Sequence, residues 1–445
     1  MHEWLRSCLV DQLHAVLTNY RTYPLCQLSS YLHSRQTTPV KKYKHMLLVV
    51  TVLCLLVITV TQCMDANNGE GTGPRGRAYA GAEKCAGCHK NIHTSFAHSA
   101  HNNTSSIASP ETVKGNFAPN ANEYFYRADQ KVVMEKRDSG LFQVLYENNA
   151  QQRASRFDIV MGSGRKAQTF LFWEGNSPVQ LPVSWSVVAN SWVNSPNYPA
   201  HKALFDRNIP VGCFECHSSY IKLESSEVMG TQMIDNFNRN EAVYGIDCER
   251  CHGPAAKHAF FHEQNPQEKK ATFIATYASL TMQQKIDMCA VCHSGQHTSL
   301  ISTFRFKPGD TLLNKYYEYT PRADVAKVDV HGNQTQLLQA SPCFIKSKML
   351  TCTSCHDTHV TERNNMAVFS QRCMSCHTTA SHNFCTMADA IGAGIVNNCI
   401  DCHMPATPSK LVTLLSNGRD SATPNMVRTH FISLYPEATK KFMHP

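Results

Sequence analysis

The chain repeats one five-residue motif, Cys-x-x-Cys-His, seven times in 445 residues. From its 20 cysteines and 23 histidines, chance alone predicts roughly 0.05 copies. The repeat therefore constrains the fold more strongly than any other feature of the sequence. Numbered in chain order, sites 1 to 7 are Cys85–His89, Cys213–His217, Cys248–His252, Cys289–His293, Cys352–His356, Cys373–His377 and Cys399–His403.

The motif is typical of the attachment site of a c-type haem. Its two cysteines form thioethers to the porphyrin, and the adjacent histidine binds the iron. Structural zinc also uses Cys-x-x-Cys pairs, but zinc does not require a histidine after every second cysteine. All seven copies have that histidine, so the sequence predicts seven covalently attached c-type haems. The predicted attachment residues are Cys85, Cys88, Cys213, Cys216, Cys248, Cys251, Cys289, Cys292, Cys352, Cys355, Cys373, Cys376, Cys399 and Cys402, and the predicted iron ligands are His89, His217, His252, His293, His356, His377 and His403.

Seven haems change how the size and charge of the chain are interpreted. From Cys63 onward there are about 55 residues for each haem, so we expect haem to form much of the core and the unloaded chain to fold poorly. The formal net charge is +8, and half of it lies in residues 1–62. Because each ferric haem adds about −1 through its propionates, the loaded body is mildly acidic, and nucleic acid is excluded as an expected partner.

The N-terminal region predicts export from the cytoplasm. Residues 46–62 are almost continuously apolar and follow Lys41, Lys42 and Lys44, the pattern of an export signal. Three outcomes remain open for residues 40–63: lipidation at Cys63, simple cleavage, or an uncleaved anchor. Residues 1–39 have no targeting pattern, and we expect them to be an untranslated extension, with translation starting at codon 40. The predicted location is the periplasm or cell envelope, with the chain anchored to a membrane at Cys63 or through residues 46–62.

The remaining chain divides at changes in composition. The predicted segments are a linker at 64–78, a first haem segment at 79–120, a β-rich insert at 121–200, a six-haem domain at 201–431 and a tail at 432–445. The predicted fold class is a multihaem cytochrome c, mainly short α-helices and irregular loops wrapped on haems, with the β-rich insert between sites 1 and 2.

The insert contains neither cysteine nor histidine between residues 121 and 192. Alternating apolar residues and turn residues predict strands there. We expect Trp173, Trp185 and Trp192 to pack in its core. The strand candidates are residues 124–126, 131–135, 141–146, 156–160, 168–173 and 179–185.

Twelve further histidines lie downstream of Cys63, enough for a sixth ligand at every iron. A histidine three or four residues after a motif lies on the same helix face as the motif histidine, so it can serve only a neighbouring haem. His93, His201, His262 and His444 are expected to play no such role, and Met349 and Met404 are minor alternatives. The candidate sixth ligands are His98, His101, His258, His297, His331, His359, His382 and His430.

The surroundings of three motifs resemble those of a known family. They are Cys248–Pro254 with His258, Cys352–His356 with His359, and Cys399–Pro405 with His430. Over residues 82–431 the chain resembles periplasmic multihaem cytochromes c, in the group around the tetrahaem acceptor of hydroxylamine oxidoreductase and the pentahaem nitrite reductases, which share a cytochrome c-552/4-like domain. The resemblance implies that His258, His359 and His430 are distal ligands. The chain lacks the Cys-x-x-Cys-Lys motif of the nitrite reductase active site.

These features predict an electron carrier with mostly bis-histidine haems rather than an enzyme. The alternative is a multihaem reductase of a small nitrogen or sulfur oxyanion, which needs one iron with an open sixth position. Expected partners are redox proteins or membrane quinol-linked electron donors, and the β-rich insert is a candidate docking surface. Cys343 and Cys385 are the only spare cysteines among the haem sites, and either a disulfide or two free thiols fits them.

Overall fold

The computed structural model describes residues 46–55, 70–230, 232–295, 299–317, 327–419 and 421–443. The chain forms two units, residues 1–70 and 71–445. In the first unit, residues 46–55 form helix α1, whose Leu and Val side chains are exposed. This helix is the described part of the predicted export segment, and residues 56–62 and Cys63 lie outside the described residues. No helix among the described residues is long and apolar enough to cross a membrane.

The helices of the second unit are short, and most of them carry or flank a Cys-x-x-Cys-His motif. They are α2 (Ala82–Cys88), α3 (Lys90–Ala97), α4 (Val211–His217), α5 (Cys248–His252), α6 (Ala256–Gln264), α7 (Met282–His293), α8 (Gln334–Gln339), α9 (Pro342–Ser347), α10 (Met366–Met374), α11 (Ala388–Ile391), α12 (Ile400–His403) and α13 (Pro436–Met443). Short 3-10 turns cover Tyr277–Ser279, Thr303–Arg305, Cys352–Ser354 and Gly392–Asn397.

Strands are more numerous than predicted, so the expectation of a mainly helical body is not confirmed. The described strands are β1 (Ser105–Ile107), β2 (Glu123–Arg127), β3 (Gln130–Arg137), β4 (Gly140–Glu147), β5 (Ala150–Arg156), β6 (Ile159–Met161), β7 (Ala167–Glu174), β8 (Ser177–Gln180), β9 (Val183–Ser186), β10 (Ser191–Asn194), β11 (Arg207–Asn208), β12 (Ser218–Met229), β13 (Gln232–Tyr244), β14 (Ala406–Ser416) and β15 (Thr423–Arg428). The additional strands arise because two segments beside haem motifs fold as hairpins: β12–β13 between sites 2 and 3, and β14–β15 after site 7.

The strands form three antiparallel sheets. Strands β2 to β5 form a four-stranded meander, and β12 pairs only with β13. The largest sheet has the order β1-β6-β7-β9-β10-β14-β15, with β8 and β11 added beside β7. Because β14 follows site 7 in the chain and pairs with β10, the last haem motif is tied back to the insert.

The meander and the large sheet share one hydrophobic core. We call the two sheets together the β body and their common core the β body core. In β3 and β4 the buried residues alternate with partly exposed ones, as expected for strands with one face covered. Trp185 and Trp192 are buried in this core with ring centres 5.2 Å apart, as the sequence predicts. Trp173 is only half-buried, and the Arg239 guanidinium lies over its ring.

The β body is joined to the motif-bearing part through site 2. Phe214, inside the site 2 motif, is buried against Phe237 of β13 and against apolar residues of β6 and β7. A second cluster surrounds α7, where Ile286 and Val291 pack against Tyr316 and neighbouring residues. Site 4 at the end of α7 is thereby held by protein contacts.

The segment predicted as a linker at 64–78 is tied down over its described part. Arg75 is buried and bonds to both Asp247 and Glu249 at site 3. The Glu249 carboxylate also accepts hydrogen bonds from the backbone nitrogens of Ala80 and Gly81, at 2.8 and 2.9 Å. This contact brings the start of site 1 against site 3.

Candidate cofactor-binding sites

Each motif forms a single turn of helix or 3-10 helix. In sites 1, 5, 6 and 7 the backbone N–H of the motif histidine donates to the backbone carbonyl of the first cysteine of the motif, at 2.8 to 3.1 Å. This turn places the two thiols and the imidazole on one side of the backbone. Local capping fixes the turn of site 3, because the Asp247 side chain caps α5. Site 4 forms the last turn of α7, and that helix starts with a capping box of Thr281 and Gln284.

Four motif histidines face a second histidine from elsewhere in the chain. The pairs, with the distances between ring centres, are His89 with His258 (6.5 Å), His252 with His359 (6.0 Å), His293 with His101 (6.1 Å) and His356 with His430 (6.2 Å).

The distance between the ring centres of each pair can be compared with the distance expected for two histidines that bind one metal ion from opposite sides. An imidazole nitrogen binds a transition metal at roughly 2 Å, and the ring centre lies about 1.1 Å further, so two imidazoles on opposite sides of one ion have centres about 6.2 Å apart. All four observed distances lie within 0.3 Å of that value. The four pairs therefore have the spacing that one interposed iron requires.

The ionisation of the paired rings also suits metal binding. Burial lowers the pKa of His101 to about 4 and that of His430 to about 4, with further lowering by His293 and His356 nearby. The neutral imidazole is the form that binds a metal. The His430 ring also has a buried Nδ1 atom without a hydrogen-bond partner.

The second histidine of each pair comes from the segment of another site. His359 follows the site 5 motif but faces His252 of site 3, and His258 follows the site 3 motif but faces His89 of site 1. His101 follows site 1 and faces His293 of site 4. Each of these four motif histidines therefore faces a histidine from a different part of the chain. For His359, three residues after His356, this agrees with the expectation that such a histidine cannot reach the iron of its own motif.

Site 2 has a different neighbourhood. Burial lowers the pKa of His217, and the nearby His331 and His293 lower it further. Of these two, His331 is the one outside the four ring pairs. The His217 carbonyl accepts from the hydroxyls of Thr104 and Ser105, both at 2.7 Å.

At sites 6 and 7 the motif histidines are oriented by backbone carbonyls. Nδ1 of His377 donates to Asn383 O, and Nδ1 of His403 donates to Ser433 O, both at 2.9 Å. This leaves Nε2 of each ring available for a metal. Among the described ring contacts, neither histidine faces a second histidine.

The other predicted ligands are not brought to a second imidazole in the described contacts. His98 is exposed, and its carbonyl accepts from Arg165. His382 is exposed in a left-handed turn, with φ at 53°. His297 lies outside the described residues. His262, which was not predicted as a ligand, lies 4.6 Å from the His258 ring.

Thiols from different motifs lie close enough to shift one another's pKa values, so the sites pack closely together. The pairs are Cys85 with Cys248 (sites 1 and 3), Cys216 with Cys292 (sites 2 and 4), Cys289 with Cys352 (sites 4 and 5) and Cys373 with Cys399 (sites 6 and 7). Electrostatic proximity also links Cys251 to Cys292 and Cys355 to Cys376, so site 3 neighbours site 4 and site 5 neighbours site 6.

A buried polar junction lies between sites 2, 3 and 4. The Arg250 guanidinium donates to the carbonyls of Thr303 and Glu215, at 2.9 and 3.0 Å. The buried Glu215 carboxylate accepts from Thr303 N at 3.0 Å. Nε of Arg250 is buried without a partner. The junction holds a fixed positive charge among three motifs.

The two spare cysteines are both free thiols and neighbour different sites. Cys343 lies near Cys355, whereas Cys385 lies near Cys402. The structure therefore does not join them in a disulfide. The described residues also contain no group of three or more His, Cys, Asp or Glu placed to hold one ion, whereas a structural zinc site needs four ligands.

Comparison with solved structures identifies the fold of the chain. No family profile and no curated protein matches the chain. Among solved structures, the outer cell wall cytochrome OcwA matches with a TM-score of 0.50 and 18% identity, over 82% of this chain and 81% of that one. An undecahaem cytochrome from the S-layer of Carboxydothermus ferrireducens matches with a TM-score of 0.37 and 18% identity, over 78% and 54%. The chain thus has the fold of a multihaem cytochrome.

Proposed function

We propose that this chain is an exported cytochrome that holds seven covalent c-type haems, most of them between two histidines, and relays electrons through them. One observation carries the proposal: four motif histidines face a second histidine across a gap that fits an iron. The fold shared with OcwA supports a multihaem cytochrome, and every motif supplies the two cysteines that thioethers to one haem need.

In this proposal the chain holds a haem between two histidines through four side chains. Two motif cysteines attach the porphyrin, the motif histidine binds one face of the iron, and a histidine from another segment binds the other. Sites 1, 3, 4 and 5 take His258, His359, His101 and His430 in this order, and site 2 takes His331. Bound haem iron supplies the ferric and ferrous states between which an electron moves.

The contacts between thiols give the route. Sites 1, 3, 4, 5, 6 and 7 follow one another as neighbours, and site 2 branches from site 4. The chain's role is to fix this order and to set the potential at each site through ligands, hydrogen bonds and burial. Apart from site 2 this route follows the order of the sequence, so sites 1 and 7 lie at its two ends, and site 2 is a third terminus.

Haem content tests the proposal directly. The purified protein should retain its haem on a denaturing gel, and a pyridine haemochrome assay combined with mass spectrometry should count seven haems per chain. Five or fewer haems, or zinc in their place, would end the proposal.

A second function is favoured by sites 6 and 7, where the described contacts place no histidine opposite His377 or His403. An iron with an open sixth position could bind a small nitrogen or sulfur oxyanion, and the protein would then be a reductase. The ferrous spectrum with and without carbon monoxide separates the two functions. A carbon monoxide complex together with turnover of nitrite, hydroxylamine or sulfite favours the reductase, and an unchanged spectrum favours the carrier.

The proposed location is the cell envelope. The sequence pattern of residues 40–63 predicts export, and OcwA is an outer cell wall cytochrome. Lipid or helix anchoring, docking through the β body, and redox proteins or quinol-linked donors as partners belong to the same proposal. Cell fractionation with detection of covalent haem tests the location.

A further inference from the structure

The carboxylate of Glu249 is shared by the starts of two helices. Its Oε1 accepts hydrogen bonds from the backbone nitrogens of Ala80 and Ala255, at 2.8 and 2.9 Å, and its Oε2 accepts from Gly81 N at 2.9 Å. Gly81 immediately precedes helix α2, and Ala255 immediately precedes helix α6. One buried side chain therefore joins the first turns of both helices.

These two helices carry the histidines that face each other at site 1. His89 directly follows the last residue of α2, and His258 lies in the first turn of α6. Their ring centres are 6.5 Å apart, and the ring planes are inclined by only 12°. Nδ1 of His258 donates to the Thr272 carbonyl at 2.8 Å, which leaves Nε2 to bind a metal. The gap between the two rings therefore depends on how α2 and α6 are held relative to each other.

The Glu249 carboxylate is itself held in place by a buried arginine. Nη2 of Arg75 donates to Oε2 of Glu249 at 3.0 Å, and the same guanidinium donates to both carboxylate oxygens of Asp247. The side chains of all three residues are at most 8% exposed. The backbone adds a second link, because Ala256 N donates to the Ala78 carbonyl at 3.1 Å. Hydrogen bonds between charged groups are strong and directional, so this network fixes the position of the carboxylate.

We propose that Glu249, which belongs to the motif of site 3, is a positioning residue for the iron of site 1. The inference rests on the proposed function, because it requires a haem iron between His89 and His258. The ligands of a metal must be held to within roughly 0.5 Å of their productive positions, and the groups that orient them are part of the site. Glu249 acts on both ligands through the backbone of α2 and α6. Site 3 thereby sets the geometry of its neighbour in the proposed route.

Electron paramagnetic resonance of the haem-loaded full chain tests this role by counting high-spin haems. Glu249→Ala removes every hydrogen bond of the carboxylate, so His258 moves away from the iron and the variant has one more high-spin haem than the parent protein. Glu249→Gln keeps the shape of the side chain and removes its charge, and the same haem becomes high-spin in a fraction of the molecules. Glu224→Ala, which removes an exposed carboxylate of β12, is the matched control and adds no high-spin haem. An unchanged spectrum in the Glu249 variants overturns the inference.

Double variants show on which iron Glu249 acts. Glu249→Ala combined with His258→Ala should add one high-spin haem, as His258→Ala does alone, because both changes act on the iron of site 1. Glu249→Ala combined with His359→Ala should add two, because His359 faces His252 at site 3. The opposite pattern means that Glu249 acts on its own site, and it overturns the inference.

The single variants separate a failure of this inference from a failure of the proposed function. If His258→Ala adds no high-spin haem, the pairing at site 1 is contradicted, and the proposed function fails there together with the inference. If His258→Ala adds one and the Glu249 variants add none, only the inference is overturned.

Discussion

Arg250 is 8% exposed, and its guanidinium acts on thiols at sites 2, 3 and 4. It opposes the rise that burial and a neighbouring thiol cause in the pKa values of Cys216 and Cys251, and it adds to the lowering that the Cys216 thiol causes in the pKa of Cys292. A fixed positive charge favours the electron-rich form of a nearby centre, so it raises that centre's reduction potential. Since arginine stays protonated in proteins, the effect is permanent.

Removal of this charge is expected to lower the midpoint potentials of two or three haems. In Arg250→Met the midpoint potential of each affected haem should fall by about 40 mV. This corresponds to an electrostatic stabilisation on the order of 1 kcal/mol per haem, for a charge screened at an effective dielectric constant of about 20. Arg250→Lys keeps the charge and should restore most of the potential. Potentiometric titration followed by absorbance measures this, and unchanged potentials in Arg250→Met would show that the residue has only a packing role.

The paired histidines give a second prediction at the residue scale. His258→Ala, His359→Ala, His430→Ala and His101→Ala should each convert one low-spin haem to a high-spin haem, because each removes one axial ligand. His201→Ala is the control, since His201 is exposed and outside the four pairs. Electron paramagnetic resonance counts the high-spin haems. A low-spin spectrum in all four variants would contradict the pairing.

At the scale of the element, the β body depends on close packing around Trp192. Its ring lies 2.1 Å from where a Cβ atom would stand on Gly115, and its Nε1 donates to Asn116 O at 2.7 Å. Gly115→Ala should therefore lower the free energy of unfolding by about 1–3 kcal/mol through overpacking. Gly73→Ala, which meets no atom within 4 Å, is the matched control. Chemical denaturation of both variants, followed by tryptophan fluorescence, measures the difference, and equal stabilities would contradict it.

Local patterns explain which elements the sequence could predict. Alternating apolar residues predicted strands at 131–135 and 141–146, and these are confirmed as parts of β3 and β4. Gly140, with φ at 132°, begins β4. Strand β5 was missed because Ala150–Arg156 is polar with no alternation, and the strand predicted at 156–160 is divided between β5 and β6. The β12–β13 and β14–β15 hairpins were missed because the haem motifs at their ends suggested loops.

The haem sites also combine features that the sequence could predict with features that it could not. The seven motifs are local, so their positions could be found from the sequence alone. The partner of a motif histidine is not local: His101 and His293 are 192 residues apart, and nothing near either residue indicates the other. The buried junction at Arg250 was also missed, because its partners Thr303 and Glu215 come from two other segments.

At the scale of the whole molecule, the β body and the segment that carries sites 5 to 7 are stabilised by different contacts. The β body core contains seventeen buried side chains, among them four large aromatic residues of β7, β9 and β10. Between residues 342 and 403, which carry sites 5, 6 and 7, the buried hydrophobic side chains of the described residues are Ile395, Ile400 and Cys402. A chain of that length needs a larger core, and haem is the apolar group that its motifs can attach.

This difference predicts how the chain behaves without its cofactor. In a full-length chain produced without haem attachment, the β body should retain its strands, because its core is made of protein alone. Residues 342–403 should unfold, because too little apolar area is buried to offset the loss of chain entropy. Hydrogen exchange and limited proteolysis with mass spectrometry should find protection over residues 123–194 and rapid cleavage within 342–403, whereas the haem-loaded chain should be protected in both. Protection of residues 342–403 in the haem-free chain would show that polypeptide contacts alone hold sites 5 to 7 and that haem is not part of their core.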